Sequence, residues 1–244
     1  MTVDTAAPRA LIDLADEALH PLRVDPHCHI LPGVDDGASD LKVSLAMARR
    51  AVANGVQTTV ATPHAAHPSL TLRLHREELR AKVAALQSSL DAEGIPLRLL
   101  PGQEFYLGPE LPELFQREEL ITWADQDRHV LIELGFQSVH SCLWDVLDFF
   151  VARGLVPIIA HPERYAWWPT APPELLPRLI EMGCWFQYNV TSLAGGWGPA
   201  KRDRALALLA RTPHFIIGTD SHDATDRYWS VDEARAAIVP FRAP

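Results

Sequence analysis

The sequence predicts an α/β fold, a closed TIM-like barrel of seven β/α units. Three observations carry this. About seven short apolar runs recur along the 244 residues, separated mostly by segments of helix length. Gly55, Gly94, Gly154 and Gly183 each close a helical segment just before the next run. Each run also ends in a polar residue, and in a β/α barrel strand ends converge on one face, where sites are assembled from distant parts of the chain.

The first run is "LRVDPHCH", ending at His27 and His29. Ser39 to Gly55 then reads as a helix, with Ser39 as its cap and Leu41, Leu45, Ala48 and Val52 on one face. The strand "VQTTVATPH" ends at His64, and helix, glycine and strand recur in "LDAEGIPLRLLPGQE", which ends at Glu104. "HVLIELG" carries Glu133, "FVARGLVPIIAHPER" carries His161, "IEMGCWFQYNV" ends near Asn189, and "PHFIIGTDSH" holds Asp220 and His222. Residues 1–23 form an N-terminal extension in which "LIDLADEALHPL" has the period of a short amphipathic helix, and residues 24–244 read as one domain.

Composition narrows the function class. The chain is 48% hydrophobic and 22% charged, as expected for a globular domain with a large core. A net charge of −9 argues against a general nucleic-acid surface. There is no uninterrupted apolar stretch of spanning length and no leader-like N-terminus, so neither membrane insertion nor export is expected. Cys28, Cys142 and Cys184 are odd in number and lack C-x-x-C spacing, which favours a reducing, cytoplasmic setting.

The strand-end residues point to metal chemistry. Two histidines two apart on a strand face the same way and can grip one ion, while Cys28 between them points to the other layer. Asp35 and Asp36 follow on a turn between Gly33 and Gly37, and either carboxylate could fold back toward a neighbouring ion. Buried charge without a metal or partner is costly, so His, Glu and Asp at successive strand ends predict a polynuclear site. Imidazole and carboxylate ligands suit Mn2+, Fe2+ or Zn2+. His20, His67, His75, His129, His140 and His214 lie away from strand ends and read as surface or packing residues. Six residues past each cysteine stand Val34, Asp148 and Val190, so the arginine of a cysteine phosphatase loop is missing; no G-x-S-x-G elbow or Walker loop occurs either.

In order and spacing, "DPHCHILPGVDDG", "ATPH", "PGQE", "LIELG", "AHPER", "SLAGGWG" and "TDSH" resemble the bacterial protein-tyrosine phosphatases of the polymerase-and-histidinol-phosphatase (PHP) superfamily, the CpsB/YwqE type. The resemblance runs from about Val24 to the C-terminus. It implies a distorted (β/α)7 barrel holding three metal ions, manganese first among the candidates. It also implies a partner, the phosphotyrosine-bearing tail of an autophosphorylating kinase that controls capsule or exopolysaccharide synthesis. Carried over by motif, His27, His29, Glu104 and Asp220 would hold one ion, with Glu104 bridging to a second held by Glu133 and His161. Asp36, His64 and His222 would hold the third, Asp36 being preferred to Asp35 because it adjoins the glycine. Arg164 and Arg227 match arginines that hold phosphate.

The extension before the first strand departs from the pattern and leaves a homo-oligomer open. Phe105, Tyr106, Trp167, Trp168 and Tyr228 are candidates for a wall against a substrate ring. A small-molecule phosphomonoesterase of the histidinol-phosphate kind is the main alternative. An amidohydrolase would want a bridging lysine where Glu133 stands, and a non-catalytic module would have lost ligands.

Overall fold

Nine strands of the computed structural model, all paired in parallel, make up the barrel wall, and the described residues are 23–68, 74–225, 234, 236 and 237. They are β1 (Val24–Cys28), β2 (Thr58–Ala61), β3 (His64–Ala65), β4 (Arg98–Pro101), β5 (Glu104–Tyr106), β6 (His129–Glu133), β7 (Val156–Ala160), β8 (Trp185–Asn189) and β9 (Phe215–Gly218). Outside them run α1 (Leu41–Ala53), α2 (Arg76–Ala92), α3 (Leu111–Gln116), α4 (Leu143–Val151), α5 (Leu175–Glu181), α6 (Val190–Leu193) and α7 (Pro199–Leu209). The predicted extension, Arg227 and Tyr228 lie outside the described residues.

The seven expected runs form seven staves, but two are broken. "VQTTVATPH" splits into β2 and β3 at Thr62 and Pro63, and "LRLLPGQE" splits into β4 and β5 at Gly102 and Gln103. Pro63 has no N–H to give a ladder. Gly102 is needed for a close approach: a Cβ there would lie 2.9 Å from Val60 Cγ1 and 3.3 Å from the Ala124 nitrogen. Pairing therefore divides into a sheet β1-β2-β4 and a sheet β3-β5-β6-β7-β8-β9. The ring closes where the Asp220 N–H donates to the His27 carbonyl (2.8 Å) and the His29 N–H to that of Ser221 (2.9 Å).

Alternation along each stave sorts side chains into two layers. Val130, Ile132, Ile159, Phe186 and Tyr188 pack outward with the helices, while Val60, Leu131, Ile158, Ala160 and Ile216 form a separate cluster with Trp123. The Trp123 indole N–H donates to the Pro26 carbonyl at 2.8 Å, which anchors this turn against the first stave. Gly55, Gly94, Gly154 and Gly183 all have positive φ, as helix-ending glycines do. The first helix differs from expectation. Asp40, not Ser39, is its cap, accepting from the Val43 N–H at 3.0 Å. Its buried face is Ser44, Met47, Ala48 and Ala51, leaving Leu41 44% exposed. Among the described residues no helix is long and apolar enough to cross a membrane.

Candidate metal centre

All nine sequence-predicted ligand candidates converge at the C-terminal ends of the staves. They form four groups whose ligand atoms lie within 4.8 Å of one another: His29, Asp36, His64 and His222; His27, His29 and Asp220; His27, Glu104 and His161; His64, Glu104 and Glu133. Six staves and one loop contribute.

The loop after β1 separates the two neighbouring aspartates. Gly37 lies so close beneath His29 that a Cβ would stand 2.2 Å from the His29 carbonyl oxygen, and this folds the turn back over the strand end. Asp35 then points inward: its carboxylate accepts from His29 Nδ1 (2.7 Å) and from the backbone N–H groups of His64 and Gly37 (3.0 Å each). Asp36 points to the rim, where Oδ1 stands 3.4 Å from His64 Nε2 and 3.3 Å from His222 Nε2. The structure thus puts Asp36 among the ligand candidates and Asp35 behind His29.

The donor set fits cations. His29 gives its Nδ1 proton to Asp35, and His27 Nδ1 lies 2.9 Å from Gln187 Oε1. In its neutral form each ring presents a bare Nε2, and the two Nε2 atoms are 3.1 Å apart; burial opposes charge on both rings, but Glu104 and Asp220 beside His27, and Asp35 beside His29, outweigh it and favour a proton or a cation there. Around them stand Glu104 Oε2 (3.3 and 3.5 Å) and Asp220 Oδ1 (3.6 and 3.5 Å). Glu104 Oε2 and His64 Nδ1 stand 2.9 Å apart, and both oxygens of Glu133 and Nδ1 of His161 are buried without a hydrogen bond among the described residues. Lone pairs converging in a dry space are costly unless a cation lies between them.

Acid–base behaviour follows the same crowding. Burial, then the neighbouring Glu104 charge, pushes the Glu133 carboxyl up to about 8. Burial also opposes charge on Glu104, but His27 and His64 outweigh it and hold that carboxyl well below the usual range. Burial, then Arg164, pulls His161 down to about 4, which keeps its ring neutral and able to ligate. His161 and Asp220 both have positive φ, 29° and 50°, a strained backbone at two of the converging side chains.

Arg164 closes one side. It sits on a short 3-10 turn, Pro162–Arg164, and its guanidinium is hydrogen-bonded to Asp220. The guanidinium also lies 4.6 Å from the Phe136 ring centre and 4.8 Å from that of Trp197.

The sequence matches the family described as capsular polysaccharide synthesis, CpsB/CapC, over residues 23–240. The chain belongs to this family. It is 34% identical over 211 residues to the tyrosine-protein phosphatase YwqE of Bacillus subtilis, covering 86% of this chain and 82% of the relative. A crystal structure from work on YwqE and on CpsB of Streptococcus pneumoniae, described there as metal-dependent tyrosine phosphatases, superposes with a TM-score of 0.80 at 33% identity, covering 88% and 85% of the two chains. The histidinol phosphate phosphatase of Lactococcus lactis, solved with zinc, L-histidinol and phosphate, shares the fold at a TM-score of 0.57 and 15% identity, covering 88% and 92%. The distorted barrel read from the sequence is the fold these relatives share.

Within this CpsB/CapC member several secondary expectations change. Phe105 is fully buried among the helices, so it cannot line the rim. Trp167 stacks on Tyr165 at 5.2 Å and donates to the Gly135 carbonyl, so it packs the rim from outside. Trp168 packs against Trp167 at 5.3 Å. Tyr106 stays half-buried and meets His67 edge to face at 4.9 Å. His67 in turn lies 4.8 Å from His64, nearer the centre than a packing histidine was expected to be. His129 is buried at the start of β6 between Trp123 and Trp185, and Cys28 is packed in the outer layer. Phe136 and Trp197, flanking Arg164, were missed by the sequence reading; each follows a glycine just past a strand-end motif, in "ELGF" and "GGW".

Proposed function

We propose that this chain is a metal-dependent protein-tyrosine phosphatase whose site takes three divalent ions, Mn2+ first and Fe2+ or Zn2+ as alternatives. In this reading His27, His29, Glu104 and Asp220 hold one ion, Glu133 and His161 with Glu104 hold a second, and Asp36, His64 and His222 hold the third. The observation that carries it is the convergence of nine ligand-type side chains beside a guanidinium. Phosphate is the anion such a site suits, and the tyrosine-phosphatase activity named for the relatives supports phosphotyrosine as its carrier.

When bound, divalent ions supply Lewis-acid charge to the phosphoryl oxygens and make water acidic enough to act near neutral pH. The protein does the rest. Arg164, held by Asp220, presents a planar donor fork to charge growing on the equatorial oxygens. Arg227, outside the described residues, is proposed as its counterpart. Neutral His161, the Glu104 carboxylate and the Glu133 carboxyl line the buried floor. Tyrosine leaves as a phenolate of pKa about 10, so the leaving group makes less demand for a proton than an alkoxide would. The natural substrate proposed is the phosphotyrosine tail of an autophosphorylating kinase of capsule or exopolysaccharide synthesis, met in the cytoplasm; the family's description supports the link to capsule synthesis.

The test is kcat/KM for a phosphotyrosine peptide, a phosphoserine peptide and histidinol phosphate under identical metal conditions, with and without chelator. Phosphotyrosine should lead, and chelator should abolish turnover of all three. A hundredfold lead for histidinol phosphate would replace this reading with the small-molecule one.

A further inference from the structure

β8 is the one stave that supplies no ligand candidate, yet its inward side chains touch three of them. Gln187 and Asn189 are both fully buried, two apart on the interior face. Gln187 Oε1 lies 2.9 Å from His27 Nδ1 and 3.2 Å from the backbone nitrogen of His161. Gln187 Nε2 donates to Asn189 Oδ1 at 2.8 Å, and Asn189 Nδ2 donates to Asp220 Oδ2 at 2.8 Å.

The direction of this chain is forced at both ends. A backbone N–H can only donate, so the amide atom facing His161 must be the Gln187 oxygen. A carboxylate can only accept, so the amide atom facing Asp220 must be the Asn189 nitrogen. With both amides fixed, His27 Nδ1 faces an acceptor and must carry the proton. In the neutral ring the other nitrogen, Nε2, is the lone-pair atom, and it is aimed at His29 Nε2, 3.1 Å away.

We infer that Gln187 and Asn189 are positioning residues, a directed relay that fixes His27 with its proton on Nδ1 and steadies Asp220, and so sets cation affinity between His27, His29 and Asp220. This rests on the metal reading above. The relay orients two ligands from opposite ends of the chain, β1 and the segment after β9, through one neutral strand. A neutral amide in this place gives direction without adding to the negative charge already supplied by Glu104 and Asp220. Groups oriented in this way change metal affinity by about ten- to a hundredfold when removed.

The experiment uses metal-free full-length protein titrated with Zn2+ against a competing chelator, together with side-chain 15N spectra of His27 in the zinc-loaded state. Gln187→Leu should lower affinity at one of the sites about ten- to a hundredfold and blur the Nδ1-protonated signature of His27. Gln187→Glu keeps the acceptor, so it should keep that signature and recover part of the affinity. Asn189→Ser removes both the donor to Asp220 and the acceptor of Gln187 Nε2 but leaves Gln187 Oε1 held by the His161 N–H, so it should weaken binding while changing the His27 spectrum less than Gln187→Leu does; with Gln187→Glu it decides the matter if Gln187→Leu does not fold. Wild-type affinity in all three variants, or equal losses of affinity and signature in Gln187→Leu and Gln187→Glu, overturns the relay. Failure of the wild-type protein to take up Zn2+ overturns the metal reading, and the relay with it.

Discussion

His27 and His29 face each other, Nε2 to Nε2, at 3.1 Å, with the far nitrogen of each ring set against an acceptor, Gln187 and Asp35 respectively. Such a pair holds either a proton or a metal, and the surrounding carboxylates favour positive charge in either form. Bound ions should therefore stabilise the fold. At a hundredfold excess over Kd each site adds about 2.7 kcal/mol, which for a chain of this size is about 5 to 10 °C in Tm. Thermal melts of metal-free protein should show this rise on adding Mn2+ or Zn2+. His29→Ala, which takes a ligand from two of the four groups, should lose most of the rise and abolish turnover. A melt indifferent to both chelator and metal would sink the trinuclear reading.

Asp35 and Asp36 should fail in different ways. Asp36 is a rim carboxylate, more than half exposed, whose partners are ring nitrogens, so Asp36→Ala should remove one ion from the stoichiometry and cost the metal-free protein less than the loss of Asp35 does. Asp35 is buried behind His29 and ties down two backbone N–H groups. Asp35→Ala should keep the stoichiometry, weaken binding about ten- to a hundredfold, and destabilise the metal-free fold by about 1 to 3 kcal/mol. Metal analysis after equilibrium dialysis, with chemical denaturation of the metal-free proteins, separates the two. The reverse pattern would exchange their roles.

The convergence of the candidate ligands was legible because its logic is periodic. His27 and His29 differ by two, and strand alternation alone puts them on one side. That same alternation argues against Phe105, since an inward Glu104 sends its neighbour outward. The choice between Asp35 and Asp36 was not legible from their residue types. Both sit on one turn, and the outcome depends on Gly37 pressing against the His29 backbone, a contact that exists only in the folded chain. Gln187 was illegible for another reason. An amide inside an apolar run looks like any strand polar residue until the ends of its hydrogen-bond chain are known. Phe136 and Trp197 come from loops 61 positions apart, and their shared grip on Arg164 has no period to reveal it.

Cys28 provides a test of the nucleophile. Its thiol is fully buried, and burial pushes it well above the usual range, so the thiolate is not available near neutral pH. Cys28→Ser should retain kcat within severalfold at saturating metal. A loss of several orders of magnitude, with metal content unchanged, would mean that covalent chemistry on sulfur had been overlooked.

His129, remote from the metal centre, should shape the acid limb of stability. Burial, then Arg128, pulls its ring down to about 4 from a reference of 6.5. The unfolded chain therefore binds more protons between about pH 6.5 and 4, and stability falls as pH drops through that window. His129→Phe removes this proton uptake. The difference between the two proteins should be constant above pH 7 and move in favour of the variant by about 1 to 3 kcal/mol toward pH 4. Denaturant titrations of the metal-free proteins across that range measure it. A difference independent of pH would show that His129 does not titrate as its burial implies.

Arg164 and its two aromatic neighbours should separate rate from recognition. The guanidinium lies between Phe136 and Trp197 and is bound to Asp220, so in the proposed reading it would meet both phosphate and a candidate ligand carboxylate. Arg164→Ala should lower kcat more than it raises KM, because the charge it meets grows in the transition state. Arg164→Lys keeps a charge but loses the planar fork, so it should stay well below wild type. Metal content measured alongside tells whether the loss comes through Asp220. Trp197→Ala leaves the charge in place and should act on the substrate ring. An aromatic pair contributes about 0.5 to 1.5 kcal/mol, so the preference for phosphotyrosine over phosphoserine peptide should shrink roughly two- to tenfold. Phe136→Leu should do the same with a smaller effect, since that ring is already stacked on His161 at 5.6 Å. The ratio of kcat/KM for the two peptides is the readout. A ratio unchanged in both variants would mean that these rings only brace the arginine, and that the preference for tyrosine rests on its better leaving group or on contacts elsewhere along the peptide.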